Sequence, residues 1–77
     1  MTTAEKIAAQ VNAQTEAGAM AVYSALRIEL ANARRAKAGH AAGLMQVLKM
    51  AGDALEARIG DDRFDRLIDD IDAQIYA

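Results

Sequence analysis

Asp61-Asp62-Arg63-Phe64-Asp65-Arg66-Leu67-Ile68-Asp69-Asp70-Ile71-Asp72-Ala73-Gln74-Ile75-Tyr76 carries the clearest periodicity in the chain. Phe64, Leu67, Ile68, Ile71 and Ile75 stand at offsets 0, 3, 4, 7 and 11, which places them on one side of a helix. Asp62, Asp65, Asp69 and Asp72 are spaced 3, 4 and 3, so four carboxylates share another side. A strand would scatter both sets across two faces. The pattern predicts a helix over 62–76, with Gly60 closing the helix before it and Asp61-Asp62 supplying the N-cap.

The same reasoning extends toward the amino terminus. Leu44, Val47, Leu48, Ala51, Leu55 and Ile59 stand at offsets 0, 3, 4, 7, 11 and 15 and predict a helix over 44–59. Gly52 interrupts its propensity but not its phase. Gly39-His40-Ala41-Ala42-Gly43 reads as a loop. Before it, a first helix is expected over about 3–38. It opens at Thr2 or Thr3, because Thr2-Thr3-Ala4-Glu5 has the spacing of a capping box, and it ends at a C′ Gly39. Val22, Leu26, Leu30 and Ala33 form its stripe. Its beginning is thin, with Ile7 and Val11 the only large apolar residues between Met1 and Met20. Gly18, which weakens a helix by about 1 kcal/mol against Ala, is an alternative break. Residues 3–17 then read as a separate helix, or residues 1–17 as a frayed segment or one ordered by a partner.

Composition supports this all-α reading. The 77 residues contain no Pro and 19 Ala, the strongest helix former. They are read as a single domain over 1–77, a small bundle of three helices. Only 22 residues have large apolar side chains. A chain this short rarely draws more than about 3–5 kcal/mol from its own core, and it has no Cys for a disulfide. Dimerisation, pairing the long first helices, is the expected remedy.

Several chemistries are set aside. Without Cys, and with one His, there is neither a thiol nucleophile nor a zinc ligand set. No G-x-x-x-x-G-K, G-x-G-x-x-G or H-E-x-x-H motif is present. Ser24 lacks the flanking glycines of a nucleophile elbow. His40 has neither a nucleophile nor an orienting acid at local spacing. No enzyme activity, cofactor or metal is therefore expected. The absence of a long apolar run and of a basic-then-apolar leader points to a cytoplasmic protein without a membrane span. The weighting toward Ala, Arg, Asp and Gly suits a GC-rich bacterial or phage genome.

Two charged surfaces remain. Net charge is +2 over residues 1–43 and −4 over 44–77. Asp61 and Asp62 complement a helix dipole, but Asp69, Asp70 and Asp72 lie toward its negative end, and Asp65 with Asp69 is a like-charge i, i+4 pair. Asp65, Asp69, Asp70 and Asp72 are therefore the candidate contact for a larger protein target of an adaptor, regulator or inhibitor. The alternative is the basic cluster Arg27, Arg34, Arg35 and Lys37, which would suit a small nucleic-acid-associated regulator. The acidic balance of the chain and the lack of a nearby aromatic platform argue against nucleic acid. Placing the Asp-rich last helix in a major groove would set carboxylates against phosphates. Tyr23 and Tyr76 are read as residues of the core edge, and Met20, Met45 and Met50 as gap-filling core.

Overall fold

The amino-terminal helix expected over 3–38 divides at residues 13–15. In the computed structural model, which describes residues 2–76, four helices follow one another: α1 (Thr3–Asn12), α2 (Glu16–Arg35), α3 (Ala41–Ile59) and α4 (Asp61–Ile75). The molecule is all-α, with four helices in place of the three expected. Met1 and Ala77, the ends of the single domain expected over 1–77, lie outside the described residues.

The break has a local cause. Thr15 takes extended backbone angles, and its hydroxyl accepts from the Gly18 amide at 3.1 Å. This is the N-cap bond to the third helical residue, so Gly18 lies inside α2 and does not separate two helices. Thr2 caps α1 in the same way, accepting from the Glu5 amide at 3.1 Å while donating to the Glu5 carboxylate at 3.3 Å. The capping-box spacing thus marks the true start of the chain's first helix.

Other boundaries move for equally local reasons. Lys37, not Gly39, holds the left-handed position after α2, with φ 55°. The Lys37 amide donates to the Arg34 carbonyl and the Ala38 amide to the Ala33 carbonyl, at 3.1 and 2.8 Å, which is a Schellman motif. That motif ends α2 at Arg35, short of Ala38. The expected loop over 39–43 is half absorbed into α3, which begins at Ala41. Gly60 is the only residue between α3 and α4 and caps both, with φ 91°. Asp61 and Asp62 therefore lie within the first turn of α4 instead of capping it, and no side chain caps that end.

Helix α3 is the centre of the packing and touches the other three, whereas α1 and α4 do not meet among the described residues. The stripe read for α3 is the face it buries from Val47 on: Val47, Leu48, Ala51, Leu55 and Ile59 are all buried, while Leu44, its first member, is only partly so. Helix α1 lays Ala4, Ala8 and Val11 into the fold. Small side chains permit close helix approach, and this explains how ten residues with so little apolar bulk can dock. From α2 the buried residues are Ala19, Tyr23 and Ala33, so Tyr23, which falls off the expected stripe, is core. Val22, Leu26 and Leu30 of that stripe are only partly buried. Leu55 and Ile71 are fully enclosed. The Tyr23 and Phe64 rings pack at 5.7 Å between centroids, tilted by 49°, within the favourable range for aromatic pairs. Gly52 lies beneath that pair. A Cβ there would stand 3.1 Å from the Tyr23 hydroxyl and 3.3 Å from its ring, so the residue that interrupts α3 propensity makes room for the largest core side chain of α2.

The result is flattened, 35 × 32 × 17 Å. Its accessible surface of 4894 Å² exceeds the roughly 4,500 Å² expected of a monomer of this mass. Phe64, Leu67, Ile68 and Ile75 pack on the core yet stay partly exposed, leaving Ile71 as the only fully enclosed member of the α4 stripe.

Candidate functional site

A groove opens where the carboxyl-terminal half of α2, the amino-terminal half of α3 and the end of α4 converge. It encloses about 850 Å³, within the range of ligand clefts. Tyr23, Leu30, Leu48 and Ile75 contribute its apolar floor, and Met45 and Tyr76 its exposed apolar edge. Met45 is 48% exposed and Tyr76 79%. Met45 is not the core residue expected of it, and Tyr76, expected at the core edge, caps the end of α4 and stands exposed at the mouth of the groove.

Arg27, Arg34, Arg35 and Lys49 rim this floor, with Asp72 the single acid. Arg27, Arg34 and Arg35 follow a spacing of seven and eight residues, which returns to one face after two turns. Arg27 is anchored loosely: it donates to the Tyr23 hydroxyl at 3.4 Å and lies 3.6 Å from the Asp72 carboxylate, and its Nε has no partner. Among the described residues Arg34 reaches only the Met45 sulfur, at 3.3 Å. Arg35 forms no ion pair among the described residues. Lys49 pairs with Asp53 at 3.6 Å on an exposed helix face, a contact worth at most a few tenths of a kcal/mol.

The structure thus gathers three of the four residues of the basic cluster and adds Lys49, which lies fourteen residues beyond Arg35 and carried no local signal. Lys37 does not line the groove. Of the four acids read as a contact, Asp72 faces Arg27 across the α2–α4 seam, while Asp65, Asp69 and Asp70 stand exposed on α4. Arg66 closes no ion pair with Asp62 or Asp70, one turn before and after it; Arg63 bonds to Glu16, fastening the start of α4 to the start of α2.

Ser24 and His40 have structural partners. The Ser24 hydroxyl donates to the Met20 carbonyl at 2.8 Å, and His40 lies exposed, 3.4 Å from Glu29. Among the described residues no group of three or more His, Asp or Glu side chains is placed to hold a metal ion. No helix is long and apolar enough to cross a membrane. Compared with protein-family models, curated proteins and solved structures, the chain finds no match in any of the three.

Proposed function

We propose that the chain is a non-enzymatic protein-interaction module, an adaptor, regulator or inhibitor that engages a larger protein through the groove between α2, α3 and α4. The supporting observation is the union of an apolar floor with cations that the chain itself leaves poorly satisfied: Arg34 on a sulfur, Arg35 unpaired among the described residues, Arg27 with an unpartnered Nε. Apolar area supplies affinity and the charges supply orientation and choice of partner. The exposed acids Asp65, Asp69 and Asp70 of α4 offer charge without apolar area between them, and serve as a secondary, solubilising or steering surface.

The test is affinity capture of the tagged full-length chain from lysate of its own host, with and without nuclease, beside an Arg34→Glu/Arg35→Glu variant. A protein that survives nuclease and is lost with the variant is expected. Recovery that vanishes with nuclease would move the function to nucleic acid. Equal recovery by the variant would remove the groove from it.

Self-association accompanies this reading. The half-buried Val22, Leu26, Leu67 and Ile68 lie outside the groove and would gain from cover by a second copy. The first helix expected to pair is two helices, so a pairing of that kind would run through α2.

A further inference from the structure

We propose that the occupant of the groove is an amphipathic helix of another protein, with an apolar ridge at i, i+3 or i+4, and i+7, and acids about two turns apart along the flank that meets α2. The inference rests on the groove being the binding site.

Backbone chemistry selects a helix. An extended segment on an apolar floor must pair its amides and carbonyls through water or a strand edge. The described residues include no strand, so strand addition has no template here. A helix satisfies its own backbone and needs from the receptor only an apolar trough. The floor provides one on three helices: Leu30 from α2, Leu48 from α3 and Ile75 from α4, with Met45 and Tyr76 exposed at its edge.

Charge selects the sign of the flank and weighs against a second copy. The lining holds four cations against one acid, and Arg27 to Arg34 spans two turns, about 10.5 Å of helix rise. Two grooves face to face would set these cations against each other. The α4 helix of a second copy presents Asp65 and Asp69, but Ile71 is fully buried and Phe64, Leu67, Ile68 and Ile75 are half-buried against its own core, so only part of its apolar stripe is on offer. The complementary surface is a helix that carries acids and an unspent apolar ridge together.

A displayed library separates these possibilities. Helices of about four turns, with a fixed Leu ridge and randomised flanks, are selected on the full-length protein. Enriched clones should accumulate Asp and Glu on one flank at a seven-residue spacing, and should bind the Arg34→Glu/Arg35→Glu variant about tenfold more weakly or worse, with the variant's helical circular dichroism unchanged. A ridge-scrambled control of the same composition should not bind. Enrichment without an acid preference, equal binding by the scrambled control, or no enrichment would each overturn the proposal. If the library fails while the lysate partner is still lost with the arginine variant, the helical occupant falls and the groove stands. If that variant changes neither, both readings fall.

Discussion

Lys37 occupies a backbone position that its side chain opposes. Its φ of 55° costs a non-glycine residue about 1–2 kcal/mol, and the side chain makes no hydrogen bond or ion pair in return among the described residues. Lys37→Gly should raise stability by about 0.5–1 kcal/mol after the extra unfolded-state entropy of glycine is subtracted. In a domain this small that corresponds to a rise of about 2–8 °C in the thermal midpoint. Binding at the groove should not change, because Lys37 does not line it. A lowered midpoint would show that the left-handed residue is not strained. The glycines of α3 make a sharper pair. At Gly43 a Cβ meets nothing within 4 Å, so Gly43→Ala should stabilise by about 0.5–1 kcal/mol through propensity. At Gly52 the same change pushes on Tyr23, which is 3% exposed and has nowhere to go. Overpacking of about 1–3 kcal/mol should outweigh the propensity gain, so Gly52→Ala lowers the midpoint. Tyr23→Phe removes the nearest atom but not the ring edge at 3.3 Å, so it should soften that cost without abolishing it. Equal effects at the two glycines would mean that the Tyr23 site is loose.

Helix α1 docks through the small side chains Ala4 and Ala8 and through Val11, and one side chain reaches its end from afar. Arg58, near the end of α3, donates to the Asn12 carbonyl at 3.1 Å and the Gln14 carbonyl at 2.9 Å. It thereby satisfies acceptors that the end of α1 and the turn after it leave open. Arg58→Ala should cost about 1 kcal/mol and accelerate amide exchange over Thr3–Asn12, with protection at Leu55 and Ile71 retained. Lys should restore less than half, since one ammonium cannot reproduce the two-pronged geometry of the guanidinium. Uniform loss of protection over all four helices would show instead that α1 is part of one cooperative unit. The same segment shows where sequence reading stops. The cores of α3 and α4 were legible because Val47 to Ile59 and Phe64 to Ile75 repeat bulky residues at helical spacing, and their ends shift by no more than three residues. Residues 13–15 hide their break, because Ala13 and Gln14 are good helix formers and no Pro or Gly marks the turn. Its only local sign is Thr15 three residues before Gly18, a cap that is recognised once the carbonyls on its other side find Arg58. The groove was legible in part. Arg27, Arg34 and Arg35 share a face by spacing alone, but Lys49, Met45 and Tyr76 join them only through tertiary packing.

At the scale of the whole molecule, two kinds of surface respond oppositely to salt. The groove is rimmed by four cations, and contacts made there weaken as ionic strength rises. The half-buried apolar side chains outside it are not screened by salt. A stable dimer covers about 800 Å² on each partner, a modest fraction of the 4894 Å² of this flattened chain. Sedimentation equilibrium should therefore show a mass above 8.2 kDa that persists between about 0.05 and 0.5 M salt, where the Debye length falls several-fold. The thermal midpoint should rise with protein concentration, as mass action requires when association stabilises the fold. The Arg34→Glu/Arg35→Glu variant should keep the same mass, because like charges keep groove from pairing with groove. A dimer that dissociates at high salt would place the groove in the self-interface and leave it closed to a partner helix. A monomer at every concentration would mean that Leu55, Ile71 and the Tyr23–Phe64 pair hold the chain alone, and would retire self-association while leaving the groove open.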